Sequence, residues 1–299
     1  MTLFLQTSIS LCSLRERFQF SSSSSFLHSN SIELRSFSCK MSPDSPIPSQ
    51  SITIPCQLDQ PVEILAAPGV SYSDFRNAID SSLFKQWLMN LQSERGILAN
   101  GAMSLKRVLI QGVDMFGSRI GFLKFKADIY DKQTGKKVPG IVFARGPAVA
   151  VLILLTCEGE TYAVLTEQVR VPVGKHMLEL PAGMLDDNEG DFVGTAVRED
   201  MVDLTGFLDP STGCRVFLSA GGCDEEIGLF LYRGSASKET IAELQGKETG
   251  LRDHGELIKV HVVPYKKLWR VTADSMTLMA VALYEMAQKE GLLPSLKPC

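Results

Sequence analysis

A chain of 299 residues with 44% hydrophobic and 21% charged residues has apolar surface enough for one or two domains with a substantial core. Its formal net charge of −4 offers no basic field to a phosphate backbone, so a small ligand is a better partner than nucleic acid. The longest apolar run, Pro147 to Leu155, is about half of the ~20 residues that a membrane helix needs, and the seven scattered cysteines, with no CxxC pair, read as reduced intracellular thiols.

Residues 1–40 carry the serine run Ser21 to Ser25 and Arg15, Arg17 and Arg35, against only Glu16 and Glu33 as acids. That is the composition of a transit peptide and predicts a plastid address, although a disordered tail shares the same look. Translation from Met41 would omit the address and leave the product in the cytosol. Residues 41–51 form a Pro/Ser linker.

From Ser73 to Glu94, Phe75, Ile79, Leu83, Trp87, Leu88 and Leu91 recur at three- and four-residue spacings, which predicts one amphipathic helix. Short apolar runs from Leu105 to Phe143, punctuated by Gly117 and the turn Asp131 to Gly135, predict antiparallel hairpins. Val149 to Leu155 reads as a buried strand, and Tyr162 to Val171 as its partner across a CEGE turn. Leu229 to Tyr232 and Leu257 to Val263 are β-type, and Met276 to Lys289 is a closing helix with Met276, Met279, Ala280, Leu283 and Met286 on one side. The order implies an α/β fold: a helix and small antiparallel β-domain over 52–145, then an α/β sandwich over 146–299, with no internal repeat.

The chemistry concentrates between Leu178 and Phe207. Gly183 would let the chain turn out of a strand, and Asp191 could cap a helix running through Val193, Ala196 and Val197 toward Arg198 and Glu199. Carboxylates three or four residues apart at the end of such a helix share one face and suit a hard cation. His254 and His261 read as ordinary loop and strand residues, since no second His or Cys stands at zinc spacing.

This stretch resembles the Nudix box: a Gly, five residues, a Glu, seven residues, then Arg-Glu-aliphatic-x-Glu-Glu-x-Gly. Gly183 and Glu189 fit that spacing, and Arg198-Glu199 follows with one extra residue between. LELPAG at Leu178 to Gly183 and EQVR at Glu167 to Arg170 extend the likeness to the branch that hydrolyses ADP-ribose and ADP-sugars, most of all to its plant plastid members. The likeness runs from about Ile52 to Gly291 and implies a Nudix α/β/α sandwich that uses Mg²⁺ or Mn²⁺ to split a nucleotide sugar into AMP and a sugar phosphate. It also implies a homodimer.

By the same resemblance, the carbonyl of Ala182 and the carboxylate of Glu199 are metal ligands, and Asp203 is a third candidate. Arg170 binds phosphate and Glu179 is a substrate-side or metal-side acid; the alternative for Arg170 is a surface pair with Glu167. Gly221 and Gly222 let backbone approach the ligand, with Asp224 and Glu225 beside them; the alternative for that run is a solvated turn. Glu256 helps to position or deprotonate the attacking water, while Gly183, Glu189 and Arg198 hold the box together.

The box is incomplete at its end, over 183–206. Val202 and Asp203 stand where two glutamates belong, and Gly206 arrives one residue late. Either the helix continues, with Asp203 four residues after Glu199, or the segment after Asp200 is the strand that normally follows a full box. The alternation of Val202 and Leu204 with Asp203 and Thr205, ending at DPSTG, favours the strand. The function is then that of the branch or, as an alternative, that of an impaired isoform that binds nucleotide sugar or pairs with a complete enzyme.

Overall fold

One serine, Ser81, divides the N-terminal helical segment. The computed structural model describes residues 47–54, 57–117, 119–184, 201–210, 214–250 and 257–295, and within them the helix expected from Ser73 to Glu94 is two helices. Helix α1 spans Tyr72–Asp80 and α2 spans Ser82–Gln92. Ser71 caps α1 by accepting from the Asp74 N–H at 3.0 Å. Ser81 has extended backbone, ends α1 through its N–H to the Ala78 carbonyl, and starts α2 by accepting from the Phe84 N–H at 3.1 Å. The hydrophobic period survives the break, so Phe75, Ala78 and Ile79 and then Phe84, Trp87, Leu88 and Leu91 are all buried. Trp87 and Phe84 meet Phe125 edge-on, with ring centroids 4.6 and 5.7 Å apart.

Phe125 belongs to a sheet of β1 (Ser49–Ile54), β2 (Gln57–Ala66), β3 (Met103–Phe116), β4 (Arg119–Asp131), β5 (Lys137–Val138) and β6 (Ile141–Ala144). The β3–β4 hairpin turns at Gly117, whose φ of 62° suits glycine. The sheet is mixed, not antiparallel as expected: Glu63 to Ala66 of β2 pair parallel with Arg107 to Ile110 of β3. A parallel neighbour requires a crossover, and α1 and α2 lie in that connection. Strand β1 begins within the residues read as linker.

The second sheet, among the described residues, has nine strands. Its central strand β7 (Ala148–Cys157) pairs antiparallel with β8 (Glu160–Arg170) and β10 (Ala182–Met184), and parallel with β13 (Glu226–Ser235). Strand β9 (Lys175–Glu179) pairs with β8, β11 (Val202–Asp203) and β12 (Val216–Phe217) with β13, and β14 (Glu248–Thr249) with β15 (Ile258–Pro264), itself on β8. The β7–β8 turn places Glu158 and Gly159 at φ 48° and 81°, the left-handed pair of a tight hairpin.

Alternation gives this sheet two faces. Ala148, Ala150, Leu152 and Leu154 pack with Ala163, Leu165, Met276 and Ala280. The last two lie on the closing helix, which follows α3 (Lys238–Leu244) and α4 (Leu268–Val271) as α5 (Ser275–Lys289), capped by Asp274 accepting from the Thr277 N–H at 2.8 Å. Val149, Val151 and Phe230 cluster on the opposite face.

The described residues fall into two compact units. One takes 47–146 together with Ser219–Glu225, and the other takes Pro147–Leu218 and the chain from Glu226 onward. No described helix is long and apolar enough to cross a membrane. The transit-peptide segment, Met41, Glu189, Asp191, Arg198, Glu199, His254 and Glu256 lie outside the described residues.

Candidate active site

Register sets which side chains share the sheet face opposite α5. Ile153 pairs with Val164, so Thr166, Gln168 and Arg170 of β8 share the face of Val149 and Val151. Thr166 pairs with Glu179, which brings Glu179 and Arg170 together on that face. Arg170 Nε donates to Glu179 Oε1 at 2.8 Å and to Oε2 at 3.0 Å, and Nη2 donates to Oε2 at 2.5 Å. Glu179 is 4% exposed, whereas the Arg170 side chain remains about one-third exposed. A buried carboxylate thus holds one edge of a partly exposed guanidinium, a charge-assisted bidentate contact.

The other acid near Arg170 in sequence has different partners. Glu167 lies on the α5 face, with Oε2 2.7 Å from His261 Nε2 and Oε1 3.3 Å from His176 Nδ1. The contact to His261 is a close approach and not an aligned hydrogen bond, since that nitrogen meets no acceptor in hydrogen-bonding geometry. Arg170 therefore pairs with Glu179 and not with Glu167.

Gly183 does not turn the chain. It sits inside β10 opposite Val149, its backbone is not left-handed, and a Cβ built on it meets nothing within 4 Å. Ala182 precedes it on the same strand, paired with Ala150.

The end of the box is strand. Val202 pairs with Leu231 and Asp203 with Phe230, so a helix does not continue through Asp203. Asp203 Oδ1 accepts from the Thr205 N–H at 3.0 Å, the Thr205 hydroxyl at 2.5 Å and the Gly206 N–H at 3.0 Å, which closes the turn after β11. Its Oδ2 lies 3.7 Å from Arg215 Nη1. Among the described residues, no group of three or more His, Cys, Asp or Glu side chains could hold a metal ion, so Ala182 and Asp203 do not make a cation site by themselves.

Gly221, Gly222, Asp224 and Glu225 belong to the other unit. A Cβ at either glycine meets nothing within 4 Å, so the loop's own packing does not demand glycine there. The Phe143 N–H donates to the Gly222 carbonyl at 2.8 Å. Asp224 Oδ1 accepts from the Arg145 N–H at 2.7 Å and the Gly146 N–H at 3.3 Å, and Glu225 Oε1 lies 3.3 Å from Arg145 Nε. The acids beside the glycines thus tie this loop to the end of β6. Burial pushes up the Cys223 thiol between them, against a backbone hydrogen bond from Glu225. Sequence reasoning missed Arg145, because nothing local marks a partner 79 residues downstream.

No protein-family model matches the chain. It is 69% identical over 274 residues to "Nudix hydrolase 14, chloroplastic" of Arabidopsis thaliana, a match that covers 87% of this chain and 89% of that protein. It is 29% identical over 181 residues to the "Methanol dehydrogenase activator" of Bacillus methanolicus, covering 60% of this chain and 92% of the other. Among solved structures, one titled "Crystal structure of ADP compounds hydrolase" aligns with a TM-score of 0.38 at 13% identity, over 64% of this chain and 99% of that one.

Proposed function

The chain belongs to the Nudix hydrolase family, and from that membership we propose that it hydrolyses the diphosphate of ADP-sugars, ADP-glucose and ADP-ribose among them, to AMP and a sugar phosphate. Water adds to one phosphorus as the bridging P–O bond breaks, so each half leaves with a terminal phosphate. The observation that carries this reading is Arg170, a partly exposed guanidinium held by a buried acid on the sheet face opposite α5. There it would take a phosphate oxygen of the diphosphate and fix its orientation. Nudix hydrolases use divalent metal ions, which supply charge neutralisation and water activation when bound; Mg²⁺ or Mn²⁺ is the proposed ion. Glu199 and Glu256 remain the acids proposed for the chemistry, with Gly221 and Gly222 on the substrate side. Glu189, Arg198 and Gly183 are the proposed supports of the box.

One observation favours reduced turnover. With Val202 and Asp203 in a strand, the last positions of the box supply no further helical carboxylate. Each 1.4 kcal/mol of lost transition-state stabilisation is about tenfold in rate, and a bound cation supplies several, so turnover should lie roughly 10² to 10⁴ below that of a complete-box relative. A plastid location and a homodimer belong to the same reading; the first is supported by the "chloroplastic" in the relative's name and the serine-rich residues 1–40.

AMP release from ADP-glucose and ADP-ribose with Mg²⁺, repeated with excess chelator, tests the proposal. Metal-dependent release, with a higher KM in Arg170→Ala, supports it. No release, together with no shift of the melting curve by any ADP-sugar at millimolar concentration, would remove both the catalytic and the binding forms.

A further inference from the structure

We propose that Glu179 is a positioning residue: its buried carboxylate clamps the Nε and Nη2 edge of Arg170 and so aims the guanidinium, without itself touching substrate or cation. This rests on the reading of Arg170 as a contact to the diphosphate. Both carboxylate oxygens of Glu179 are engaged by that edge at 2.5–3.0 Å, and the residue is 4% exposed. A cation or a phosphate reaching it would first have to displace the guanidinium.

The placement of Arg170 explains why such a clamp matters. It is the last residue of β8, and the chain leaves it through the turn Val171–Val173, with Val171 80% exposed and Gly174 left-handed at φ 64°. A long side chain at a strand end beside an exposed turn has rotamer freedom to lose when ligand binds, and each contact that restricts it beforehand lowers that cost. Pairing across the β8–β9 ladder fixes the plane beforehand. Strand β9 is itself held on both sides: the Thr166 hydroxyl lies 3.4 Å from the Glu179 carbonyl, and the Thr272 hydroxyl donates to the Leu178 carbonyl at 2.5 Å. The clamp therefore rests on fixed backbone.

A binding cycle tests the assignment. Affinity for ADP-ribose is measured by calorimetry on the full chain in chelator, where hydrolysis does not intervene, for wild type, Glu179→Gln, Arg170→Ala and the double variant. Glu179→Gln should weaken binding by roughly 10- to 100-fold while Arg170 is present, the scale of losing one well-placed charge-assisted hydrogen bond to the ligand. With Arg170 already replaced, the same change should alter affinity by less than about twofold, since Glu179 acts only through it. An equal loss in both backgrounds would show direct contact with ligand, and no loss in the first would show a clamp without consequence; either overturns the proposal. Glu179→Asp keeps the charge but withdraws it by one methylene, and should give an intermediate loss if Glu179→Gln fails to fold. If wild type binds inorganic pyrophosphate but not ADP-ribose, the nucleotide reading fails and the cycle is read with pyrophosphate. Binding of neither removes both.

Discussion

Val202→Glu puts back, by sequence position, a carboxylate that the box lacks, and the structure makes a clear forecast for it. Val202 pairs with Leu231 on β13 and packs against the cluster that contains Leu229, Leu231, Met276 and Ala280, on the α5 side of the sheet. Asp203 is the neighbour that takes the row of Phe230, on the face of Arg170 and Glu179. A glutamate at 202 would therefore point away from the proposed site and into an apolar layer. Losing the contacts of a partly buried valine costs about 1 kcal/mol, and leaving a carboxylate poorly solvated there costs about 1–3 kcal/mol more. For a domain of this size that total of about 2–4 kcal/mol lowers the melting midpoint by roughly 5–15 °C. Thermal unfolding and metal-dependent AMP release, measured on the same preparation, check both halves. A tenfold or larger gain in AMP release with an unchanged midpoint would refute the strand assignment.

Three other outcomes follow from local geometry. Burial raises the Asp128 carboxyl, but hydrogen bonds and charge from Lys137 and Arg107 outweigh it and hold the group below the usual carboxylate range; its contribution is then complete above the unfolded value near ~3.9 and fades as pH falls through the lower folded value, so Asp128→Asn should destabilise at pH 7 and cease to differ from wild type in strong acid, as urea midpoints across pH will show. Gly140→Ala would set a Cβ 2.1 Å from the Ala127 carbonyl oxygen, whose residue also donates its N–H to the Gly140 carbonyl at 2.7 Å; a cost of about 3 kcal/mol in chemical denaturation is expected, and wild-type stability would contradict the β4 edge geometry. Asp224→Ala removes the acceptor of the Arg145 and Gly146 N–H groups, at about 1–2 kcal/mol; tryptic cleavage after Arg145 should accelerate, and an unchanged digestion rate would count against the tie.

Local pattern carried most of the elements and little of their pairing. The strands β7, β8, β13 and β15 were legible from apolar runs, and the CEGE turn from its glycine, because each signal lies within a few residues. The break at Ser81 was not, since its serine caps both helices while the apolar spacing runs on undisturbed. Strands β1 and β2 passed unread among polar residues and prolines, and the parallel β2–β3 pairing depends on a crossover that no local pattern reveals. In the site, Arg170 and Glu179 were singled out by motif, but their union arises from the β8–β9 register. Asp224 and Glu225 looked like ligand-side acids because acids beside glycines suggest a binding loop; their backbone and arginine partners come from a distant strand end. Gly183 looked like a turn because glycine permits one, yet here it lies in a strand.

The assignment of Ser219–Glu225 to the first unit bears on how the protein is made. A fragment ending at Gly146 would contain every strand of the first sheet, yet its last strand would lack the Gly222 carbonyl and the Asp224 carboxylate that receive the N–H groups of Phe143, Arg145 and Gly146. On the ribosome the same condition holds for a time: the end of β6 emerges well before its partners and waits on synthesis of the segment between, a delay of several seconds at about 5–20 residues per second. The first unit is thus finished late despite coming first, and dissecting the protein at the apparent boundary would yield a piece with a frayed edge, one that supplying Ser219–Glu225 as a peptide should mend.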